Sequence, residues 1–576
     1  MESPPPAVAA PRRPWTDYAC MAAVGLVFAY SLHLACNRIY QVDEAQNVFM
    51  GRILGMGAWD RHYTHAAAWL LGPLAWIARA ARRSEDLFTS YRLVFLAVYW
   101  TNVVLLVRAA GARWRGPAFW QLLLLASTLA PLLDYGLEIR HDNLLLTALL
   151  VFWFLVRKED PAGPFRFVLL GFLSGAMQLV AFKAFLTWVP LALLVLAFPP
   201  PALALPWRKR VLGWAAGFAA LVLLASLAYA LTGTWPALQE GFRQAMAGAS
   251  SGEGRFGPLP TLLRLLNQMP LLSAGAAALL IGFLLDLRGQ YLRGLRWEGS
   301  HPEAVLLMVL LAAFLVNPVP YPYNLIPVAP FLLMLVARGA LAAAGPGFLK
   351  GLLTPAGAPF LVALLAITHL LPFAQQAARH LDFSNGRQHL LMATAERMTD
   401  PERDPVFDAS GLVATRWPAT RPWFLHSISV GSLRTGKLES ISSQLARNPA
   451  AVLISSYRTD WLPKPDQGWI RAHYLPLADD FWVLGANLPA GGGTFACLKA
   501  GRYLVAAAAL GDGGAGPIRM DGQPQDRSGV QVLSVGAHAF VAPPGTSVQL
   551  LWLGPKLLSP PVLTNADHRL LFVNWY

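Results

Sequence analysis

The sequence predicts a polytopic α-helical membrane protein with about eleven transmembrane helices and a C-terminal extracytoplasmic soluble region, an α/β part followed by a β-sandwich. Three observations carry that expectation. The 576 residues are 55% hydrophobic and only 14% charged, which would leave a purely soluble fold with far too much unpartnered apolar surface. Apolar runs of spanning length recur from residue 17 to residue 373. From His380 onward Asp, Arg, Ser and Thr return, and no further spanning run follows.

The runs fall near 17–36, 88–107, 118–137, 143–156, 165–182, 184–200, 211–231, 262–286, 303–317, 322–340 and 352–373. The first follows a basic pair, Arg12 and Arg13, and lacks a small-x-small cleavage site, so it is expected to be a retained signal anchor. Another apolar segment, THAAAWLLGPLAWIARA at 64–80, is short, broken by Gly72 and Pro73 and followed by Arg79, Arg82 and Arg83. These features suit an interfacial helix in the headgroup region. The positive-inside rule tests this choice. With the N-terminus inside and 64–80 not spanning, PRRPW, RAAGARWRG (108–116), RKEDPAGPFR (157–166), PWRKR (206–210) and DLRGQYLRGLRWEG (286–299) all become cytoplasmic, and all are basic. A spanning 64–80 would invert most of that bias, whereas the non-spanning reading leaves only Arg79, Arg82 and Arg83 outside as an exception.

The expected organisation is a cytoplasmic tail at 1–16, a transmembrane domain at 17–375, an extracytoplasmic α/β region at 376–490 and a β-sandwich at 491–576. The α/β region mixes a helical pattern, GRQHLLMATAERM, with short β runs such as AAVLISS. The sandwich is read from GRYLVAAAAL, SGVQVLSV, TSVQLLWL and RLLFVNW, separated by Gly and Pro turns. Lys plus Arg outnumber Asp plus Glu by 46 to 32, a formal charge of +14 that cytoplasmic loops and anionic lipid account for without nucleic acid. Cys20, Cys36 and Cys497 are too scattered for a metal or disulfide pattern. The Ala, Leu, Gly and Arg bias suggests a bacterial inner membrane.

Several polar segments gather on the outer side of this topology. Asp43 and Glu44, in QVDEAQNVFMGRILGMGAWD, sit just past the first span, where carboxylates are costly and are functional candidates by default. They suit a general base or a cation site, or else simply favour the N-terminus of the helix that follows. A second cluster, Glu138-Ile139-Arg140-His141-Asp142, recurs at the outer end of another span; phosphate binding and mutual neutralisation explain it equally well. Lys183 closes GFLSGAMQLVAFK, where snorkelling would carry its ammonium to the level of lipid phosphate, and Gly171 and Gly175 suit close helix packing. NPVPYPYNLIPVAP breaks helix geometry at depth, which places Tyr321, Tyr323 and Asn324 at a cavity or an interfacial belt. Arg255 lies in a Gly-rich outer loop, and His62 and His65 read as surface histidines lacking a matched third metal ligand.

This arrangement resembles the GT-C superfamily of integral membrane glycosyltransferases, in particular the ArnT-like and protein O-mannosyltransferase-like branch (glycosyltransferase family 39). The Asp-Glu motif of the first outer loop is matched by Asp43-Glu44, the Arg-x-Asp motif of the second by Arg140-His141-Asp142, and the Gly-rich helix ending in Lys by GFLSGAMQLVAFK. YNLIPVAPFLL approximates the branch's late Pro-rich helix. Two segments depart from the branch: RHYTHAAAWLLGPL stands where a Lys-Pro-Pro-Leu-like segment is usual, and NPVPYPYN lacks a basic residue. The resemblance implies inverting transfer of a sugar from a polyprenyl-phosphate donor to a lipid, glycan or protein acceptor outside the membrane. It makes Asp43 the base and has Glu44 and Asp142 orient the acceptor. Arg140 and Lys183 neutralise the carrier phosphate, and no cofactor is required. His141, Arg255, Tyr321, Tyr323 and Asn324 complete the expected substrate-binding set. The competing class is a transporter or flippase for a lipid-linked anionic glycan precursor. It fits less well, because paired halves with broken helices are missing from the sequence.

Overall fold

The structure, a computed structural model, describes residues 15–56, 79–112, 118–158, 163–231, 257–293, 301–317, 320–343, 357–509 and 516–573, with isolated residues between. Each of the eleven apolar runs contains helix. Among the described residues four helices are long and apolar enough to cross a membrane: Asp17–Asn37, Ser84–Ala109, Trp207–Leu231 and Pro322–Gly339. A fifth arises if Pro258–Gln268 and Pro270–Leu285, bent by 111° at their junction, form one span. Phe165–Val180, Phe185–Ala197 and His301–Leu315 are apolar but shorter. The run at 118–137 is two helices, Ala118–Ser127 and Ala130–Tyr135, the second opening with Pro131, which has no N–H to continue a helix across the break. The expected interfacial helix at 64–80 lies outside the described residues, apart from Arg79 and Ala80 at its end.

The chain divides into two compact units. The first comprises Met1–Cys36, Leu93–Gly233 and Gly254–Asp382; the second comprises Asn37–Arg92, Thr234–Glu253 and Phe383–Tyr576. Residues 37–92 therefore cluster with the C-terminal region and not with the rest of the expected 17–375 domain.

In the first unit, helices Phe165–Val180 and Trp207–Leu231 cross backbone to backbone. A Cβ on Gly171 would stand 1.9 Å from the Trp214 carbonyl oxygen, and one on Gly217 1.9 Å from that of Val168. Only glycine permits this approach, which is how helices bind one another where lipid removes the hydrophobic drive between them. The packing role read for Gly171 is what the structure contains. Within the expected run at 262–286, helix Pro258–Gln268 is anchored by its Thr261 hydroxyl, which donates to the Pro320 carbonyl at 3.2 Å, and helix Pro270–Arg293 follows after the bend.

In the second unit a seven-stranded sheet runs β1 (Val406–Phe407), β2 (Val452–Ile454), β4 (Phe481–Leu488), β11 (Thr546–Trp552), β6 (Gly501–Ala509), β9 (Ser528–Leu533), with β3 (Tyr474–Ala478) also on β4. A four-stranded sheet runs β5 (Gly492–Cys497), β10 (Gly536–Val541), β7 (Ile518–Met520), β8 (Gln523–Gln525). The sheets meet through side chains such as Phe495 and Tyr503, whose ring centroids are 5.5 Å apart. The expected boundary at 490 does not separate them: β4 pairs Leu488 with Val548, so one sheet runs across it. RLLFVNW, expected as a strand, has its first two residues in a 3₁₀ turn, His568–Leu570, capped by Asp567; residues 571–573 form no strand, and the rest lies outside the described residues. GRQHLLMATAERM is helix Gly386–Met398, as its periodicity predicts.

Candidate functional site

The second unit holds the first acidic pair. Helix Val42–Gly55 opens at Gln41, whose backbone N–H donates to Glu44 Oε2 at 2.8 Å, half of a capping box. Arg92 then clamps the same carboxylate with two bonds, Nε to Oε1 at 2.8 Å and Nη2 to Oε2 at 2.6 Å. Its remaining donors reach the Arg38 and Ile39 carbonyls, and its guanidinium lies 4.4 Å from the Tyr40 ring centroid. Burial raises the Glu44 carboxyl, but the charge and hydrogen bonds of Arg92, the charge of Arg38 and the Gln41 N–H together outweigh it and hold Glu44 below the ordinary carboxylate range. Glu44 is thus a fully buried structural anion with both oxygens engaged, which corrects its expected role of orienting an acceptor. Asp43, beside it, is only half-buried.

This segment is built into its unit at several points. Tyr40 N–H donates to Gln388 Oε1 at 2.7 Å, the Tyr40 hydroxyl meets His389 Nε2 at 2.9 Å, and Asn385 N–H reaches the Asn37 carbonyl at 2.8 Å. The Phe49 ring packs on Trp423 at 4.5 Å, closed over Gly411, whose φ of +81° and 2.9 Å clearance to both side chains exclude any other residue. Asp43 therefore sits on a rigid support. Sequence reasoning missed Arg92, although an arginine inside a predicted span is itself a signal.

The first unit holds the second cluster. Asp142, one residue into helix His141–Arg157, is 1% exposed and faces Lys183 Nζ at 3.1 Å. Lys183 follows helix Phe165–Val180 in a 3₁₀ turn, Phe182–Ala184, that separates it from helix Phe185–Ala197. It also donates to Asn324 Oδ1, in the 3₁₀ turn Pro322–Leu325 that the prolines impose. Arg140 Nε lies 3.5 Å from Asp142 Oδ2 and its Nη1 3.7 Å from Glu138 Oε2, while its guanidinium stacks 3.7 Å above the Tyr323 ring. Tyr321 stacks on Tyr323 at 5.3 Å, and His141 Nε2 is 3.8 Å from Asp142. Asn143 braces the loop, its amide donating to the Tyr135 and Glu138 carbonyls at 3.1 and 2.9 Å. Asp142, Lys183, Asn317 and Asn324 line a narrow cleft of ≈ 30 Å³ whose walls include Leu310 and Phe314. A lysine ammonium beside apolar walls, 5.1 Å from the Tyr323 ring centroid, suits an anionic group such as a phosphate.

Of the expected substrate-binding residues, Arg140, His141, Lys183, Tyr321, Tyr323 and Asn324 come together with Asp142. Arg255, like His62 and His65, lies outside the described residues. Among the described residues no three His, Cys, Asp or Glu side chains gather to hold a metal ion.

A second polar cluster, unforeseen from sequence, lies at the far end of helix His141–Arg157. Glu303 is fully buried, accepts from Trp153 Nε1 at 3.2 Å, and lies 3.2 Å from Arg157 and 3.3 Å from Arg338. Asp142, Lys183 and Asn324 share one end of these helices; Arg157, Glu303 and Arg338 share the other.

ArnT from Cupriavidus metallidurans aligns at a TM-score of 0.52 in its apo state and 0.51 bound to undecaprenyl phosphate, with 15% identity, over 82% of this chain and 97% of that one. The chain has an ArnT-like fold. The GT-C resemblance read from the motifs therefore holds at the level of fold. Archaeal oligosaccharyltransferase AglB from Archaeoglobus fulgidus, in complex with an inhibitory peptide and a dolichol-phosphate, aligns at 0.46 with 12% identity, over 85% of this chain and 73% of that one. No protein-family model matches the sequence, and neither does any curated protein.

Proposed function

We propose that the chain is a GT-C-type glycosyltransferase that moves a sugar from a polyprenyl-phosphate donor to an acceptor on the extracytoplasmic side of a bacterial inner membrane, with inversion. What supports the reading most is the Lys183–Asp142–Asn324 constellation at the mouth of an apolar cleft, with Arg140 stacked on Tyr323, in an ArnT-like fold. Under this reading the shorter apolar helices complete a bundle of about eleven spans, and the C-terminal sheets lie outside the membrane.

The acceptor's hydroxyl or amine attacks the anomeric carbon, and its proton passes to the Asp43 carboxylate. The bond from that carbon to the phosphate oxygen breaks, and polyprenyl phosphate leaves with the electron pair. Lys183 and Arg140 neutralise the charge that builds on the leaving oxygen, a contribution that preorganised cations make without reorganising during the reaction. Tyr321, Tyr323 and Asn324 flank the sugar or headgroup. The role of Asp43 rests on the motif it shares with the GT-C branch. Glu44 has the separate task of fixing the helix that carries it. No metal enters this scheme.

The test compares lipid, glycan and envelope-protein masses in cells expressing the wild-type chain or Asp43→Asn at matched levels. A sugar-sized increment confined to the wild type supports the reading and names sugar and acceptor class; identical masses remove Asp43 as the base.

A further inference from the structure

The two sheets of the second unit leave two strand edges open to each other. Among the described residues β5 ends its sheet, with β10 as its one partner, and residues Gly485–Leu488 of β4 pair with β11 alone. The Ala542 N–H bond to the Gly491 carbonyl sets the alternation along β5, turning the N–H and C=O of Thr494 and Ala496 away from β10. On β11, the Leu553 N–H bond to Arg502 turns Leu550 and Val548 toward β4, where they face Ala486 and Leu488; beyond the end of the β3–β4 pairing at Tyr474–Leu484, the groups of Asn487 then point to the open side.

Between these edges lies a cavity of ≈ 260 Å³. Its lining combines apolar Leu484, Leu488 and Phe495 with polar His473, Asn487 and Thr494. His473 Nδ1 bonds to the Trp469 carbonyl at 2.9 Å, so in the neutral ring Nε2 is an acceptor. Exposed strand edges are normally blocked by charge, proline or a covering element. Asn487, Thr494 and Ala496 are instead exposed and uncharged. The lining offers no flat ring to a pyranose: Phe495 and Tyr503 are 6% and 0% exposed and set edge to face, and His473 stacks on Trp469 at 4.2 Å. Free main-chain groups in register, beside a pocket for one or two side chains, are the chemistry of strand addition.

We propose that the slot between β4 and β5 binds an extended polypeptide segment as an added strand. The site is independent of sugar transfer and requires no donor.

The experiment selects random heptapeptides by display against the full chain in nanodiscs, then measures the dissociation constant of a selected, synthesised peptide. Thr494→Trp fills the cavity and leaves the main chain intact; Ala496→Pro removes an edge N–H that has no partner strand. Each should weaken binding about tenfold, and N-methylation of one alternate set of peptide amides should do so while the other set does not. Amide exchange at Thr494 and Ala496 of the wild-type chain should slow when the peptide binds, a readout that needs no variant. The proposal is overturned if no peptide is enriched, if exchange at those amides is unchanged, if both N-methylated sets bind equally, or if soluble oligosaccharides displace the peptide competitively.

Discussion

Lys183 Nζ lies 3.1 Å from Asp142 Oδ1 while also donating to Asn324, so the cation at the cleft mouth already has a buried carboxylate as its partner. A carrier phosphate would take the place of that carboxylate at the ammonium. Lys183→Ala should therefore weaken retention of radiolabelled undecaprenyl phosphate by purified protein at least about tenfold, and Lys183→Arg should retain part of it. Asp142→Asn, which removes the competitor, should bind the carrier more tightly than wild type. Equal retention by wild type and Lys183→Ala would take Lys183 out of the site.

Removing Glu44 leaves Arg92 charged and buried without its partner. Glu44→Gln should destabilise the protein by roughly 3–5 kcal/mol, and a paired apolar replacement, Glu44→Leu with Arg92→Met, should recover much of the loss. Thermal melting of the three variants checks this. Because the folded Glu44 carboxyl is held low, its contribution is fully present above the unfolded carboxylate range, about pH 4.3, and is lost as pH falls through the folded value. The stability gap between wild type and Glu44→Gln should accordingly narrow on acidification.

Helix crossing at Gly171 and Gly217 tolerates no side chain. Gly171→Ala and Gly217→Ala should each force the helices apart, since the atom met is a backbone carbonyl. Gly175→Ala should be milder, its new methyl meeting the tip of Leu221 at 3.2 Å. The order of melting temperatures in detergent tests this directly, and a Gly175→Ala loss equal to that at Gly171 would contradict the packing described.

In the four-stranded sheet, His538 Nδ1 and Asp521 Oδ2 are 2.8 Å apart, and Asp521 also accepts the Ala539 N–H. The Asp521 hydrogen bond and the Ser534 carbonyl raise His538; the His538 and Ala539 bonds lower Asp521. The histidine's contribution is present below its unfolded pKa, about 6.5, and is lost as pH rises through the raised folded value. The aspartate's is present above about pH 3.9 and is lost as pH falls through its lowered value. His538→Ala should thus destabilise between those limits and converge on wild type at alkaline pH, as melting curves across pH would register.

Much of this architecture was legible because each signal is local. Eleven apolar runs each yielded helix, and Arg140, Asp142, Lys183 and Asn324 sit at predicted span ends, where loop charge already assigned a side. What escaped depends on partners far along the chain. Nothing near Glu44 announces Arg92, 48 residues on, so a carboxylate that anchors a helix reads like one that does chemistry. Likewise β4 is shared by strands on both sides of residue 490, because sheet continuity is set by long-range pairing that composition does not record.

Helix His141–Arg157 carries an ion pair at each end, Asp142 with Lys183 at one and Arg157 with Glu303 at the other, about 22 Å apart along its axis. A rod held this way can neither slide nor turn without breaking one buried pair, so it acts as a fixed stator.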